Sequence, residues 1–596
     1  NNNSITVPAN GEFKFDINLT SLNSIDSKYE LYYLINGEKI TNNDIEIGYT
    51  EDSIDSVKGT INANKKKQIT VSIKNNSNKS VNITFGCEGG LINNELVMVK
   101  GNSLDTLIVD EDVMLAYTYT GNNKPSKFPS INDGYYITDL SCTGGTAVWD
   151  NNTWTMKITE TSGQSISCNA TVVDVYKDNS GAATPVIIGD LIPVIISDTG
   201  FVTKANIGEK WYDYDESIWA NAVILEDNYG PYDDGASIPE EAIESYFVWI
   251  PRYRYKIFDE GNYTSLTAKE NAEQEIEIVF ENKETEPSTG STKGTWLTHP
   301  AFTSFDSDGF WVGKFESGYR GATSTSGAQV NSNDYTKLII KPNVYSWRNI
   351  TVGNAFKASY DYDRDLDSHM MKNTEWGAVA YLSHSKYGYI GSVRINNNSG
   401  FITGYSATEE PTKGWNSNIN LSGNMIESTK IGIDGSYTLN YLNVLSVLSS
   451  TTGNYSGVYD MSAGTIEYVM GALSNLLTAD KNSELTKIYS DFYSNNDLKK
   501  YYDLYDITSS TSYFKRKLGD ATGEIGPFFE GLEPNNSVFS KSSWYGDYAV
   551  LPNTDYPWFR RGGEYANGIS SGIFSFFYGS GDKSYNISFR VVLTPQ

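Results

Sequence analysis

The chain of 596 residues is short of several residue types, and each shortage excludes something. It has three cysteines, Cys87, Cys142 and Cys168, and none beyond them. It has three histidines, His299, His369 and His384, too scattered to form a facial metal triad at a recognisable spacing. Basic residues are few: 46 Lys and Arg stand against 73 Asp and Glu, for a net charge of -27. Nucleic acid phosphates and an anionic membrane surface would repel such a chain. Long apolar runs are missing too. The nearest candidate, "TPVIIGDLIPVIIS", is interrupted by Asp190, Pro185 and Pro193 and reads as strands rather than a spanning helix. The numbering opens at Asn1, so the lack of an export signal within it excludes nothing.

What is abundant points outward from the cell. Asn, Ser, Thr, Tyr and Gly dominate, and the 43 tyrosines supply rings with polar tips that suit wet interfaces. Cys142 and Cys168 bracket a β-rich segment. A bridge between them would close a loop worth about 3–4 kcal/mol on the chain-entropy estimate and leave Cys87 over. The other reading is three buried thiols.

The length allows about three or four domains. Residues 1–102 read as a β-sandwich: "SITVPANGEFKFDIN" alternates, and "KKKQITVSIKNNSNKSVNITFGC" gives two strands about an Asn-Ser turn. Residues 103–189 repeat that style, with a hairpin turning at Asp150, Asn151 and Asn152 between Trp149 and Trp154. Both segments are expected to be immunoglobulin-like, and they resemble stalk modules of Gram-positive surface proteins. Residues 190–596 read as one larger α+β head. Its polar insert "ENKETEPSTGSTKG" is expected to be a surface loop. Helices are expected in "SHMMKNTEWGAVAYLSHS", capped by Ser368 with Met371, Trp376, Val379 and Leu382 on one side, and in "TIEYVMGALSNLLT" and "SDFYSNNDLKKYYDLYD".

The closing stretch "YPWFRRGGEYANGISSGIFSFFYGSGDKSYNISFRVVL" mixes rings and charges with glycine. Phe574 and Phe576 alternate about Ser575 and could both face a core.

Four ordered segments of the head resemble the formylglycine-generating-enzyme-like branch of the C-type lectin fold. "YFVWIPRYRYKI" is similar to its opening strand, and "GFWVGKFESG" to a second strand ending in a glutamate, here Glu316. "MKNTEWGAVAYLS" resembles its following helix, and "GVYDMSAGTIEYVMG" is similar to "GLYDMSGNVWEW", with Ile466 and Tyr468 in place of tryptophans. The ending "RRGGEY…NISFRVVL" resembles "RGG…GFR", with Ser588 in place of the last glycine.

The resemblance implies a fold without implying its chemistry. The oxidase branch needs two cysteines near its end, and none follows Cys168. No catalytic residue, metal ligand or cofactor is therefore assigned. "YDYDRDLDSH" spaces Asp361, Asp363, Asp365 and Asp367 two apart but lacks the glycine and terminal glutamate of a calcium loop, and it reads as a solvated acidic loop.

Within the branch, the ending is most similar to lectin-fold proteins diversified by a retroelement, which implies a rigid frame displaying exchangeable side chains. The frame falls to Trp558, Arg561, Gly562, Gly563, Gly568, Gly572, Phe589 and Arg590, with "FRVVL" returning into a sheet. The display falls to Tyr545, Asp547, Tyr556, Arg560, Glu564, Tyr565, Asn567, Ile569, Phe577, Tyr578, Asp582, Lys583, Tyr585 and Ile587. Tyrosine with Gly, Ser and Asn is the palette of antibody loops.

The expected function is a non-enzymatic adhesin or receptor on a bacterial surface, gripping a protein or glycan on another cell. A phage tail receptor-binding protein and a surface-filament subunit self-associating through its N-terminal strands are the alternatives. An enzyme of the formylglycine type comes last.

Overall fold

The computed structural model describes residues 4–7, 9–10, 12–20, 27–35, 45–51, 54–55, 58–61, 66–91, 96–98, 106–110, 113–120, 134–150, 155–161, 166–187, 189–256, 276–289, 295–389, 393–407, 412–413, 438–474, 492, 495–505, 519–522, 550–567 and 571–594. The chain is mainly β and divides into two compact units, Asn1–Val175 and Tyr176–Gln596.

Among the described residues the first unit is built from antiparallel pairings, apart from Val113–Thr120, which runs parallel to Ile166–Asp174. Its strands obey the period of two: along 71–75 buried Val71, Ile73 and Asn75 alternate with exposed Ser72 and Lys74. That pattern fits strands with one face on a core. One sheet runs through position 102, since Thr155–Thr161 pairs with Leu96–Met98, which pairs with Val81–Leu91. Strands from both sides of the expected boundary therefore share a sheet. Cys142 and Cys168 are cross-strand partners joined by a disulfide. The turn residues Asn151 and Asn152, together with Trp154, lie outside the described residues.

The strands of the second unit that position the site are, in chain order, β1 (Ile192–Ile196), β2 (Val202–Lys204), β3 (Asn221–Leu225), β4 (Ser237–Ile238), β5 (Ile243–Pro251), β6 (Gly309–Gly313), β7 (His369–Met370), β8 (Ile466–Leu473), β9 (Asp503–Tyr505), β10 (Trp558–Gly562), β11 (Gly572–Gly579), β12 (Ile587–Phe589) and β13 (Val591–Leu593). Two helices, α1 (Val352–Tyr360) and α2 (Asn373–Ser383), pack with them. The larger sheet has the order β4-β2-β1-β3-β5-β6-β13-β7, and the smaller runs β9-β8-β10-β11 with β12 on β8. The chain's last strand, β13, returns between β6 and β7.

β5 and β6 are covered on both faces, so they read as continuous apolar runs instead of alternating. Trp249 and Trp311 sit opposite each other across them, ring centroids 5.3 Å apart. Gly309 has no side chain because a Cβ there would lie 2.5 Å from both the Ile250 carbonyl and the Trp249 ring. Trp219, Trp249, Trp311, Trp347 and Trp376 are fully buried. Each indole N–H donates to a backbone carbonyl, of Tyr387, Ala183, Val186, Val330 and Ile573 respectively. Truncating one such ring costs about 3–5 kcal/mol.

The helix expectations need correction. α2 begins at Asn373, where the Glu375 carboxylate accepts the Lys372 backbone N–H at 2.8 Å. Ser368 is no helix cap: its hydroxyl accepts from Asp363 N–H and donates to the Tyr360 carbonyl. α2 is buried all round, not on one stripe. "IEYVMGAL" is strand β8, and the 3-10 helix Asn496–Tyr501 leads directly into strand β9. An apolar run buried on every side carries no period that separates helix from strand, and the β-branched and aromatic Ile466, Tyr468 and Val469 favour strand.

Candidate functional site

The closing segment forms an antiparallel pair, β10 against β11, with β8 on the other side of β10. Arg561 lies opposite Phe576 and Glu467, whereas Arg560 lies opposite Phe577 and Tyr468. Side chains alternate across a strand, so consecutive arginines are sent to opposite faces.

The inner face is closed. Arg561 is fully buried and donates to Asn373 Oδ1 at 3.0 Å and to the Asp520 carbonyl at 2.9 Å. Its guanidinium lies 5.6 Å from the Trp376 ring, and burial lowers its pKa to about 10, which still leaves it charged at neutral pH. Arg590 grips Glu467 with two N–H groups at 3.0 and 2.6 Å and donates to the Gly313 and Tyr459 carbonyls. Trp558, Phe574, Phe576 and Phe589 are buried, and so are Gly562, Gly563 and Gly572. Gly563 has φ of 77°, and a Cβ there would lie 2.6 Å from Ser571 Oγ. Gly568 lies outside the described residues.

Toward solvent lies a row of rings that does not follow the alternation, since Tyr578 shares the phase of buried Phe576 and buried Trp558 shares that of Arg560. The Arg560 guanidinium lies 5.0 Å from the Phe577 ring, Phe577 stacks on Tyr578 at 4.4 Å, and Tyr578 meets Tyr556 at 4.9 Å. Tyr556 is 45% exposed, and desolvation by the rings lowers the Arg560 pKa. A second group lies on the flanking loops. Tyr565 is half-buried, edge-on to Phe401 at 5.0 Å, with its N–H on the Gly464 carbonyl. Tyr585 is 57% exposed, and its carbonyl accepts from Arg348. Glu564 accepts from Asn586 at 2.6 Å, while Asn567 Oδ1 accepts the Glu564 N–H and so braces the turn. Asp582 and Lys583 are exposed.

One expected display residue sits elsewhere. Ile587 is 2% exposed and pairs with Ile466 in the parallel β12–β8 ladder, so it belongs to the core. Tyr585 and Asn586 precede the strand, whose three residues Ile587, Ser588 and Phe589 are all buried. Tyr545, Asp547 and Ile569 lie outside the described residues.

Beneath the display lies a buried acid cluster. Glu316 accepts from Ser346 Oγ at 2.6 Å, from the Thr465 N–H at 3.3 Å and from the Thr465 hydroxyl. Asp460 accepts from Asn396 at 2.8 Å and from the Gly404 N–H at 3.0 Å. Burial, reinforced by Asp460 and Glu467, pushes the Glu316 carboxyl up to about 8. Burial also pushes Asp460 up to about 6, although Arg590 pulls against it. The sequence did carry a sign of this cluster, in single acids within the apolar stretches "KFES", "VYDMS" and "TIEYV".

The histidines occupy separate niches. His299 is ringed by Tyr253, Tyr255, Phe302 and Tyr381. His369 bonds Glu375 at 3.0 Å, and His384 bonds Ser383 at 2.6 Å. The acids of the 361–367 loop face different partners: Asp361 pairs with Lys357, Asp363 caps the backbone of Asp365 and Leu366, and Asp367 binds Arg364 and Lys500. Among the described residues no group of three or more His, Cys, Asp or Glu is placed to hold a metal. Among them, too, no helix is long and apolar enough to cross a membrane.

No protein-family model matches the chain, and no curated protein matches it.

Proposed function

We propose that this protein is a non-enzymatic adhesin or receptor of a bacterial cell surface. Its second unit is a head of the C-type lectin fold, of the formylglycine-generating-enzyme-like branch, and its first unit is a stalk of immunoglobulin-like modules. The head grips a protein or glycan on another surface through the outer face of β10 and β11 and the loops beside it. Retroelement-driven exchange of side chains is the source of variety at that face.

The observation that carries this reading is the partition among residues of β10, β11 and the segments flanking them. Glycines, Trp558 and Arg561 are spent on packing, while Tyr556, Arg560, Phe577, Tyr578, Asp582, Lys583 and Tyr585 keep surface toward solvent. Tyrosine and arginine are the residue types that dominate contact energies, and two or three of them could each supply about 2 kcal/mol or more. The chemistry of the oxidase branch is left without its cysteine pair, since none follows Cys168.

The test is a binding screen of the full chain against immobilised glycans and displayed surface proteins. The same screen is run with Tyr556, Tyr565 and Tyr578 changed together to Ala. The reading expects any partner found to be lost by about tenfold or more in the variant, with a melting temperature within a few degrees of the parent. Binding that survives the three substitutions would sink it, and so would turnover of a substrate by the head.

A further inference from the structure

Ser346 presents a problem of proton counting. Its hydroxyl has one proton and two acceptors beside it, Glu316 Oε1 at 2.6 Å and the Phe401 carbonyl at 3.1 Å, and that carbonyl also accepts the Ser346 N–H at 2.9 Å. A proton on Glu316 lets the hydroxyl serve both. The carboxylic acid then donates to Ser346 Oγ, and Ser346 donates onward to Phe401. On the other side, Thr465 gives its N–H and its hydroxyl to Glu316 Oε2.

Both branches end at the same residue of the display. Phe401 carries the edge-on Tyr565 ring, and Gly464, next to Thr465, accepts the Tyr565 N–H at 3.1 Å. Phe401 also carries the Arg348 guanidinium, 4.0 Å from its ring, and Arg348 donates to the Tyr585 carbonyl.

The charges around Glu316 do not balance. Asp460 precedes β8, and Glu467 lies on it. Against these three acids stands Arg590, whose bidentate grip is on Glu467 alone. Arg348, two residues from Ser346, is a second cation close enough to Glu316 to feel its charge were it ionised, but its N–H groups are taken by Thr325 and Tyr585. Lys314, two residues before Glu316, donates to Asn221 and to the Tyr455 and Gly457 carbonyls. A fully buried carboxyl with two acidic neighbours and no cation of its own keeps its proton.

We infer that Glu316 is a protonated support under the contact face, and that losing its proton loosens the seats of Tyr565 and Tyr585 and weakens the grip in alkaline conditions. The meaning for binding rests on the function proposed above; the proton itself does not. Burial is the cause that raises Glu316, and the pair with Asp460 places the change between about pH 6 and 8.

The experiment is amide hydrogen exchange on the full chain at about pH 6.5 and about pH 9, corrected for the intrinsic rate, with Glu316→Gln alongside. Gln keeps the shape and cannot ionise. In the parent, protection at Thr465 and Tyr565 is expected to fall by about tenfold on raising the pH, while in the variant it stays level. A parent that stays level, or a variant that falls with it, overturns the inference. Infrared spectra of the parent give a second reading should the variant fail to fold. A protonated-carboxyl band present at about pH 6.5 and lost by about pH 9 is expected, and its absence at the lower pH overturns the inference. Neither readout involves a partner, so a failed binding screen and a failed proton assignment are distinguishable.

Discussion

Arg560 and Arg561 are neighbours in the chain and opposites in their surroundings. Arg561 is fully buried, saturates carbonyl and amide oxygens of three segments and lies beside Trp376. Arg560 rests on the Phe577 ring of an aromatic row that reaches solvent at Tyr556. The same residue type is thus a buried bolt at one position and a solvent-reaching group at the next. Alternation across the strand separates these two arginines but does not hold along the whole pair, since buried Trp558 shares the phase of Arg560 and half-buried Tyr578 that of Phe576.

The comparison can be broken at its strongest point first. Arg561→Ala should cost about 3–5 kcal/mol in urea unfolding, because it strands buried acceptors and opens a void beside Trp376. Arg560→Ala measured alongside should cost about 1 kcal/mol or less; equal losses would erase the distinction between the faces. Ile587→Ala comes next, at about 3 kcal/mol by cavity formation, against about 0.5 kcal/mol for Tyr585→Ala two residues earlier. Gly563→Val should cost about 2 kcal/mol, from its left-handed backbone and the contact with Ser571.

A separate prediction concerns the pH dependence of the acid cluster. Glu316 and Asp460 both have folded pKa values above their unfolded ones, so the folded state holds protons that the unfolded state releases. Their contribution is greatest below about pH 4 and is lost as the pH rises toward 8, at up to about 1.4 kcal/mol per pH unit for each group titrating. The melting temperature of Glu316→Gln should therefore gain on the parent between about pH 5 and pH 9. Parallel curves would contradict the burial argument.

The sequence disclosed what local pattern can carry. Alternation announced the strands of the first unit, and Val591–Leu593 returns into a sheet as the family resemblance implied. Glycine and arginine in "FRRGG" marked the frame, because φ above zero and a buried guanidinium each restrict the residue type. Pattern failed at β8, which is buried on every side and carries no period to separate strand from helix, whereas α2 was legible as a helix and only its cap and its all-round burial were not. Ile587 was misplaced because strand phase starts from a turn whose geometry no short window shows. Single acids in apolar stretches hinted at buried carboxyls, but their convergence lay beyond local reading, since the cluster joins Glu316 to Thr465 and Arg590 to Glu467 across more than a hundred residues.

The central claim is that the outer face is exchangeable and the inner one is not. Its most direct measurement is a library of full-length chains randomised together at Tyr556, Arg560, Glu564, Phe577, Tyr578, Asp582, Lys583 and Tyr585, scored for resistance to protease. A second library randomised at Trp558, Arg561, Gly563, Phe576 and Arg590 is scored beside it. The account predicts that most members of the first library stay folded and nearly all of the second are digested. Equal digestion of the two would contradict it.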